Sequence, residues 1–178
     1  VSFTVGVESV DAAAALGAAV RGSSRPLSVL VEIDPGLHRS GVLPDDAATV
    51  ARACLDAGLD VHGAFTFGGH GYGPCDAPVH AADDEVACLE RAAESLRSVG
   101  VEPRVLSAGS TPTATLSARA PVTDERPGTY VFHDNQQVAL GVATWAEVAL
   151  CVAATVVASH PDGRFVLDAG SKALAADR

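Results

Sequence analysis

The feature that most constrains this chain is a strand-then-helix unit that recurs from its first residues. FTVGV (residues 3–7) is a short apolar run, and ESVDAAAALGAAVRG (8–22) follows with alanine-rich helical spacing and Gly22 at its end. LSVLVEID (27–34) and PDDAATVARACLDAG (44–58) repeat the pair, the helix opening on proline and acids and closing on Gly58. DVHGAFTF (60–67) and DDEVACLERAAESLRSVG (83–100) repeat it again, with Asp83 or Asp84 as the expected cap and Gly100 as the stop. PRVLSAG (103–109) supplies a fourth strand, residues 112–119 a short helix, and TYVFH (129–133) a fifth strand. Strands joined through helices at this spacing run parallel, and the helices cover the sheet they form. The fold class is therefore α/β.

An open doubly wound sheet and a section of a (β/α)8 TIM-type barrel both satisfy this order. The unusual polar residues separate them, because each group lies just after a strand: Arg39 after the second, His70 and Tyr72 after the third, SAGST (107–111) after the fourth, His133 and Asp134 after the fifth. Successive loops meeting on one rim is what a barrel provides, whereas an open sheet concentrates its ligand at a single switch point. The expectation is the later part of a barrel in residues 1–135, since a whole one needs about 250 residues. From 136 to 178 the texture changes, and VALCVAATVVASHPDGRFVLDAG (148–170) reads as a β-hairpin turned at HPDG, the beginning of a β domain. The chain opens directly on a strand and contains no methionine, so the expectation is a piece of a longer protein.

Hydrophobic residues make up 48% of the chain and charged ones 19%, which suits a folded body. The net charge of −10, with 12 basic residues spread singly, argues against a grip on nucleic acid or an anionic membrane and for a small-molecule partner. No apolar run reaches the roughly 18 residues of a membrane span. Cys54 and Cys88 fall in helical segments and Cys151 in a strand-like one, without C-x-x-C spacing, so reduced, buried thiols in a cytoplasmic protein are expected.

At the end of the fourth strand Gly109, Ser110 and Thr111 offer close backbone approach and hydroxyl donors, a composition suited to a phosphate. RPGTY (126–130) brings Gly128 and Thr129 to the neighbouring strand end as a second set of donors. Arg39, on a glycine-flanked loop, suits a carboxylate or phenolate oxygen, or a structural bridge to Glu32 or Asp34. His70 and Tyr72 stand among glycines that let backbone come close to a ligand. His70, Cys75 and Asp76 lack the spacing of a metal motif, and no metal site is expected in this chain. His38, His62, His80 and His160 read as surface or turn histidines.

VEIDPGLHRSGV, AFTFGGHGYG, LSAGSTPTAT, RPGTYVFHD and VLDAGSKALAAD, in this order and spacing, resemble the D-threonine aldolase and D-serine dehydratase family, alanine racemase-like enzymes of pyridoxal phosphate fold type III. The resemblance implies a pyridoxal 5′-phosphate barrel followed by a β domain, and a lyase acting on β-hydroxy D-amino acids, by retro-aldol cleavage or by dehydration. It implies that Gly109, Ser110, Thr111, Gly128 and Thr129 surround the cofactor phosphate. Arg39 would face the phenolic oxygen or the substrate carboxylate, His70 the ring, and Arg126 or Tyr130 the pyridine side. It also implies a homodimer, and a divalent metal, manganese or zinc, held by a histidine with an aspartate or cysteine beyond Arg178. The family's cofactor lysine follows an early strand; the one lysine here is Lys172, in DAGSKAL, at a different place in the pattern. Residues 1–178 alone are therefore expected to supply no catalytic residue and no covalent link to the cofactor. A racemase, which needs two bases on opposite faces of the substrate carbon, is the alternative enzyme. A non-catalytic cofactor carrier is the alternative outside enzymes, and a sugar-phosphate isomerase lacks an evident acid–base pair at the strand ends.

Overall fold

The computed structural model describes residues 3–170; Lys172 lies outside them. Five strands form one sheet: β1 (Thr4–Val7), β2 (Ser28–Ile33), β3 (Asp60–Thr66), β4 (Val105–Ala108) and β5 (Asp124–Glu125). They lie side by side in chain order and every pair is parallel. A doubly wound sheet reverses its order at a switch point, whereas this one advances in a single direction, as a barrel does.

Three helices cover one face. In α1 (Val10–Ala19), the Ser9 hydroxyl accepts the Ala12 N–H at 3.1 Å and so caps the first turn. A 3₁₀ turn at Pro44–Asp46 leads into α2 (Ala47–Asp56). The longest helix, α3 (Ala77–Ser98), starts well before the expected residue 83, with Asp76 at its N-cap. Pro78 is tolerated in the first turn, where its missing N–H would have had no partner, and Pro78, Ala81 and Ala82 continue the buried stripe of Glu85, Val86 and Leu89. Asp83 and Asp84 are inside the helix and exposed. A short helix, α4 (Ala114–Ser117), follows β4.

The core is the seam between the sheet and these helices. Val7, Val29, Val31, Ile33, Val61, Ala64, Leu106 and Ala108 meet Val50, Cys54, Leu89, Ala93 and Leu96 there, all buried. Alternation puts Leu30, Glu32 and Phe65 on the opposite, inner face, with Glu32 beside Phe65 and Phe65 beside Ser107 in register. Phe65 reaches across to β1, where a Cβ on Gly6 would be 2.8 Å from its Cζ.

TYVFH is not the fifth strand. The ladder beside β4 is taken by Asp124 and Glu125 and ends at the Arg126 N–H, which reaches the Ala108 carbonyl at 3.0 Å. Pro127 has no N–H to continue it. Thr129–Val131 instead form a 3₁₀ turn with Tyr130, Val131 and Phe132 exposed, and α5 (Asn135–Ala139) follows, capped by Asp134. The antiparallel hairpin is present but shorter than 148–170: β6 (Val156–Ser159) and β7 (Phe165–Leu167). Cys151 is exposed outside it. Cys75 is also exposed, so only Cys54 is a fully buried thiol, while all four cysteines are free. Among the described residues no helix is long and apolar enough to cross a membrane.

Candidate active site

The site is assembled where β2, β3, β4 and β5 end. After β2, Asp34 organises the loop: its carboxylate accepts the N–H groups of Gly36 at 2.9 Å and His38 at 3.0 Å, and lies 2.9 Å from the His38 Nδ1. Burial pushes the Asp34 carboxyl up, but the bonds from His38 and Gly36 outweigh it and hold the group below its ordinary range. Ser40 donates to Glu32 at 2.7 Å. Arg39, exposed, forms neither of the bridges to Glu32 or Asp34; its guanidinium lies over the Phe67 ring, 4.9 Å from the centroid. Only a crevice of about 10 Å³ separates Arg39, Phe67 and Glu32. The largest hollow among the described residues, about 880 Å³, lies at the other end of the sheet, among Arg21, Gly22, Arg25 and Gly58, and includes none of the site residues.

After β3, Gly69–Tyr72 form a 3₁₀ turn that directs His70 toward α3, with Nε2 3.1 Å from Asp84; the buried Nδ1 has no partner among the described residues. A Cβ on Gly71 would meet Thr113 at 2.9 Å, so this loop packs against the loop after β4. Cys75 and Asp76 point to solvent, and no three metal-ligating side chains converge among the described residues.

The loop after β4 is closed by a residue not singled out from the sequence. Thr113 is fully buried; its Oγ1 accepts the Ser110 N–H at 2.9 Å and sits 3.0 Å from the Ser110 Oγ. Ser110 therefore spends its N–H and hydroxyl inside the loop, and the turn, rather than its hydroxyl, is what it contributes. Thr111 joins the neighbouring strand end, its Oγ1 accepting the Tyr130 N–H at 3.1 Å. The two sets of small residues, Gly109–Thr111 and Gly128–Thr129, thus share one rim, and the N–H groups of Thr111, Gly128 and Thr129 have no partner among the described residues.

Arg126 extends along the inner face. Its Nε donates to the Ser107 Oγ at 2.7 Å, its Nη2 donates to the Thr66 carbonyl, and its guanidinium lies 5.2 Å from the Phe65 ring centroid. Burial lowers its pKa, opposed by the carboxylates of Glu85, Glu125, Glu32 and Asp124. Tyr130 is exposed on the outer side of the same rim.

Glu85, on α3, also escapes the sequence pattern. It is fully buried, and one oxygen, Oε1, accepts the Gly68 N–H at 2.8 Å and the Gly109 N–H at 3.0 Å, tying the ends of β3 and β4 together. An acid at 85 between Ala82 and Leu89, on the apolar stripe of its helix, is the one sequence signal that marks it.

With this geometry in hand, the comparisons with known proteins agree. Residues 2–136 match the family model of the alanine racemase N-terminal domain. The chain is 39% identical over 97% of its length to the D-threo-3-hydroxyaspartate dehydratase of Delftia sp. strain HT23, covering 47% of that protein. The solved structure of that enzyme superposes with a TM-score of 0.86 over 98% of this chain and 48% of its own. The D-serine dehydratase of Dictyostelium discoideum is 29% identical over 84% of this chain and 42% of its own. The D-threonine aldolase structure from Filomicrobium marinum gives a TM-score of 0.76 at 25% identity, over 99% of this chain and 50% of its own. The chain spans about half the length of the curated relatives it matches.

Proposed function

We propose, from the premise that this chain belongs to the alanine racemase N-terminal domain family, that it is the phosphate- and ring-binding half of a pyridoxal phosphate-dependent lyase acting on β-hydroxy D-amino acids. Residues 1–135 are the cofactor-binding part, and 136–178 begin a β domain. The carrying observation is the bond from the Tyr130 N–H to the Thr111 Oγ1, which brings two glycine-containing strand ends to one place with unpaired N–H groups beside them. A dianionic phosphate fits there because three N–H groups await an acceptor and Gly109, at φ +92°, has no side chain in the way. When bound, the cofactor supplies an electron sink for charge developing on the substrate carbon.

The chain's own residues bind and orient. Thr111, Gly128 and Thr129 hold the phosphate, Gly109 permits its approach, and Ser110 keeps the turn. Arg39 is free to take the substrate carboxylate or the phenolic oxygen. His70 is anchored through Asp84 with one ring nitrogen unspent. Arg126, rather than Tyr130, suits the pyridine side, because it lies along the inner face against Phe65 and Ser107. Relatives that dehydrate hydroxyaspartate and serine support elimination over retro-aldol cleavage. A Delftia enzyme structure described as metal-free supports a divalent metal in the complete protein. The family likeness supports a homodimer, and the free cysteines a reducing, cytoplasmic setting.

The complete protein, purified with the cofactor, should be yellow. It should release ammonia and a 2-oxo acid from D-threo-3-hydroxyaspartate or D-serine, with Thr111→Val weakening cofactor binding. A colourless protein, or one that only interconverts enantiomers, would overturn this function.

A further inference from the structure

The rim holds two carboxyl groups that the proposed function leaves unused. Glu85 Oε2 and Glu125 Oε2 are both buried and neither has a hydrogen-bond partner among the described residues. They flank a single residue: Glu85 Oε1 accepts the Gly109 N–H at 3.0 Å, and a Cβ on Gly109 would collide with Glu125 Oε2. The other Glu125 oxygen accepts the Ser117 hydroxyl at 3.0 Å. Two orphaned acceptors cannot satisfy one another while both groups are ionised, and each buried oxygen left unpaired costs about 1–3 kcal/mol.

We propose that Glu85 and Glu125 share one proton, and that this neutralised pair is the positioning device that fixes Gly109 and, through it, the phosphate-binding turn. The proton gives one orphan oxygen a donor and the other an acceptor. Charge balance agrees: the cation facing the pair is Arg126, whose single charge is also contested by Glu32 and Asp124. Burial first, and the charge of Glu85 second, push the Glu125 carboxyl above its ordinary range against the opposing bond from Ser117. Neighbouring carboxylates behave this way when both cannot ionise together. Because Glu85 also holds the Gly68 N–H at 2.8 Å, the pair ties the His70 loop to the Ser110–Thr111 loop. Removing the proton sets two negative charges on either side of Gly109 and loosens both.

The shared proton stands on geometry alone; its effect on the cofactor rests on the proposed function. Infrared difference spectroscopy of the complete, cofactor-free protein in D₂O should show a protonated carboxyl carbonyl band at pH 7. That band should vanish in Glu85→Gln and in Glu125→Gln, each of which keeps an amide donor facing the remaining carboxylate and so preserves the fold. In wild type, affinity for pyridoxal phosphate should fall about tenfold as pH rises through the band's disappearance, the equivalent of one pKa unit, and both glutamine variants should lack this dependence. Absence of the band at pH 7, or its survival in both variants, would overturn the proposal. The band without any cofactor binding would uphold the shared proton and overturn the proposed function instead.

Discussion

The sheet-and-helix body and the β6–β7 hairpin use the same valines, leucines and phenylalanines and treat them in opposite ways. Val31 in β2 is fully buried, whereas Val157 in β6 is 60% exposed and Phe165 in β7 66% exposed. A hairpin takes its register from its turn, here His160 to Gly163, with the His160 N–H meeting the Arg164 carbonyl at 2.9 Å. Parallel strands have no such local turn. Their register is specified by burying one face, because a slip of one residue would move that face to the wrong side. The body is thus held by contacts between residues distant in sequence, and the hairpin by contacts between neighbours.

The sharpest way to break that contrast is to truncate one apolar side chain in each region. Leu89→Ala, in the stripe of α3, should cost about 2–5 kcal/mol of unfolding free energy, while Phe165→Ala should change it by about 0.5 kcal/mol or less. Denaturant titration of residues 1–178 reads both; equal costs would mean that the hairpin has a core of its own. The thiols give a second measure. Burial pushes Cys54, on α2, up to about 11, whereas Cys151, ahead of the hairpin, is exposed. Alkylation at pH 8 should modify Cys151 at least about a hundredfold faster than Cys54, through thiolate fraction and access together. Comparable rates would show that α2 opens as readily as the hairpin region moves.

Within the body, the rim tests whether polar contacts hold the structure as firmly as the apolar ones. Thr113→Val removes the acceptor of the Ser110 N–H and the partner of the Ser110 hydroxyl at a fully buried position. It should lower stability by about 1–3 kcal/mol, measured by thermal melting. No change would mean that the turn after β4 is held by packing alone.

The same division explains what can be read from the sequence. β1 to β4 and the hairpin are legible, since each is a short apolar run with its own turn signals. The first turns of α3 are hidden because Pro78 and the acids at 83 and 84 imitate a later start, although Ala81 and Ala82 carry the buried stripe. TYVFH has strand composition but stands after Pro127, with the ladder position already filled by Asp124 and Glu125. At the site, Gly109, Thr111 and Gly128 are visible as small residues after strands. Glu85 is not, because its partners are 17 and 24 residues away and nothing local distinguishes it from an ordinary helix acid. Thr113 is visible only as a hydroxyl in a hydroxyl-rich loop. Exposure of Cys75 and Cys151 escapes for the same reason, since burial is decided by what lies opposite.

The smallest effect is expected where bonding is most local, at Asp34 after β2. Its partners, Gly36 and His38, are two and four residues on, so the loop resembles the hairpin turn more than the sheet. A carboxyl held below its ordinary value in the folded chain adds stability that is present above the unfolded carboxyl's pKa and is lost as pH falls through the lowered one. Asp34→Asn should therefore be less stable than wild type at pH 7, by less than about 1 kcal/mol for so solvent-facing a cluster. The gap should close as pH falls below about 4, the ordinary carboxylate value. Melting curves of the two proteins from pH 7 downward decide it. A gap that stays constant would mean that Asp34 acts through its shape, with the amide oxygen unable to replace it, and that its charge contributes nothing to holding the Arg39 loop.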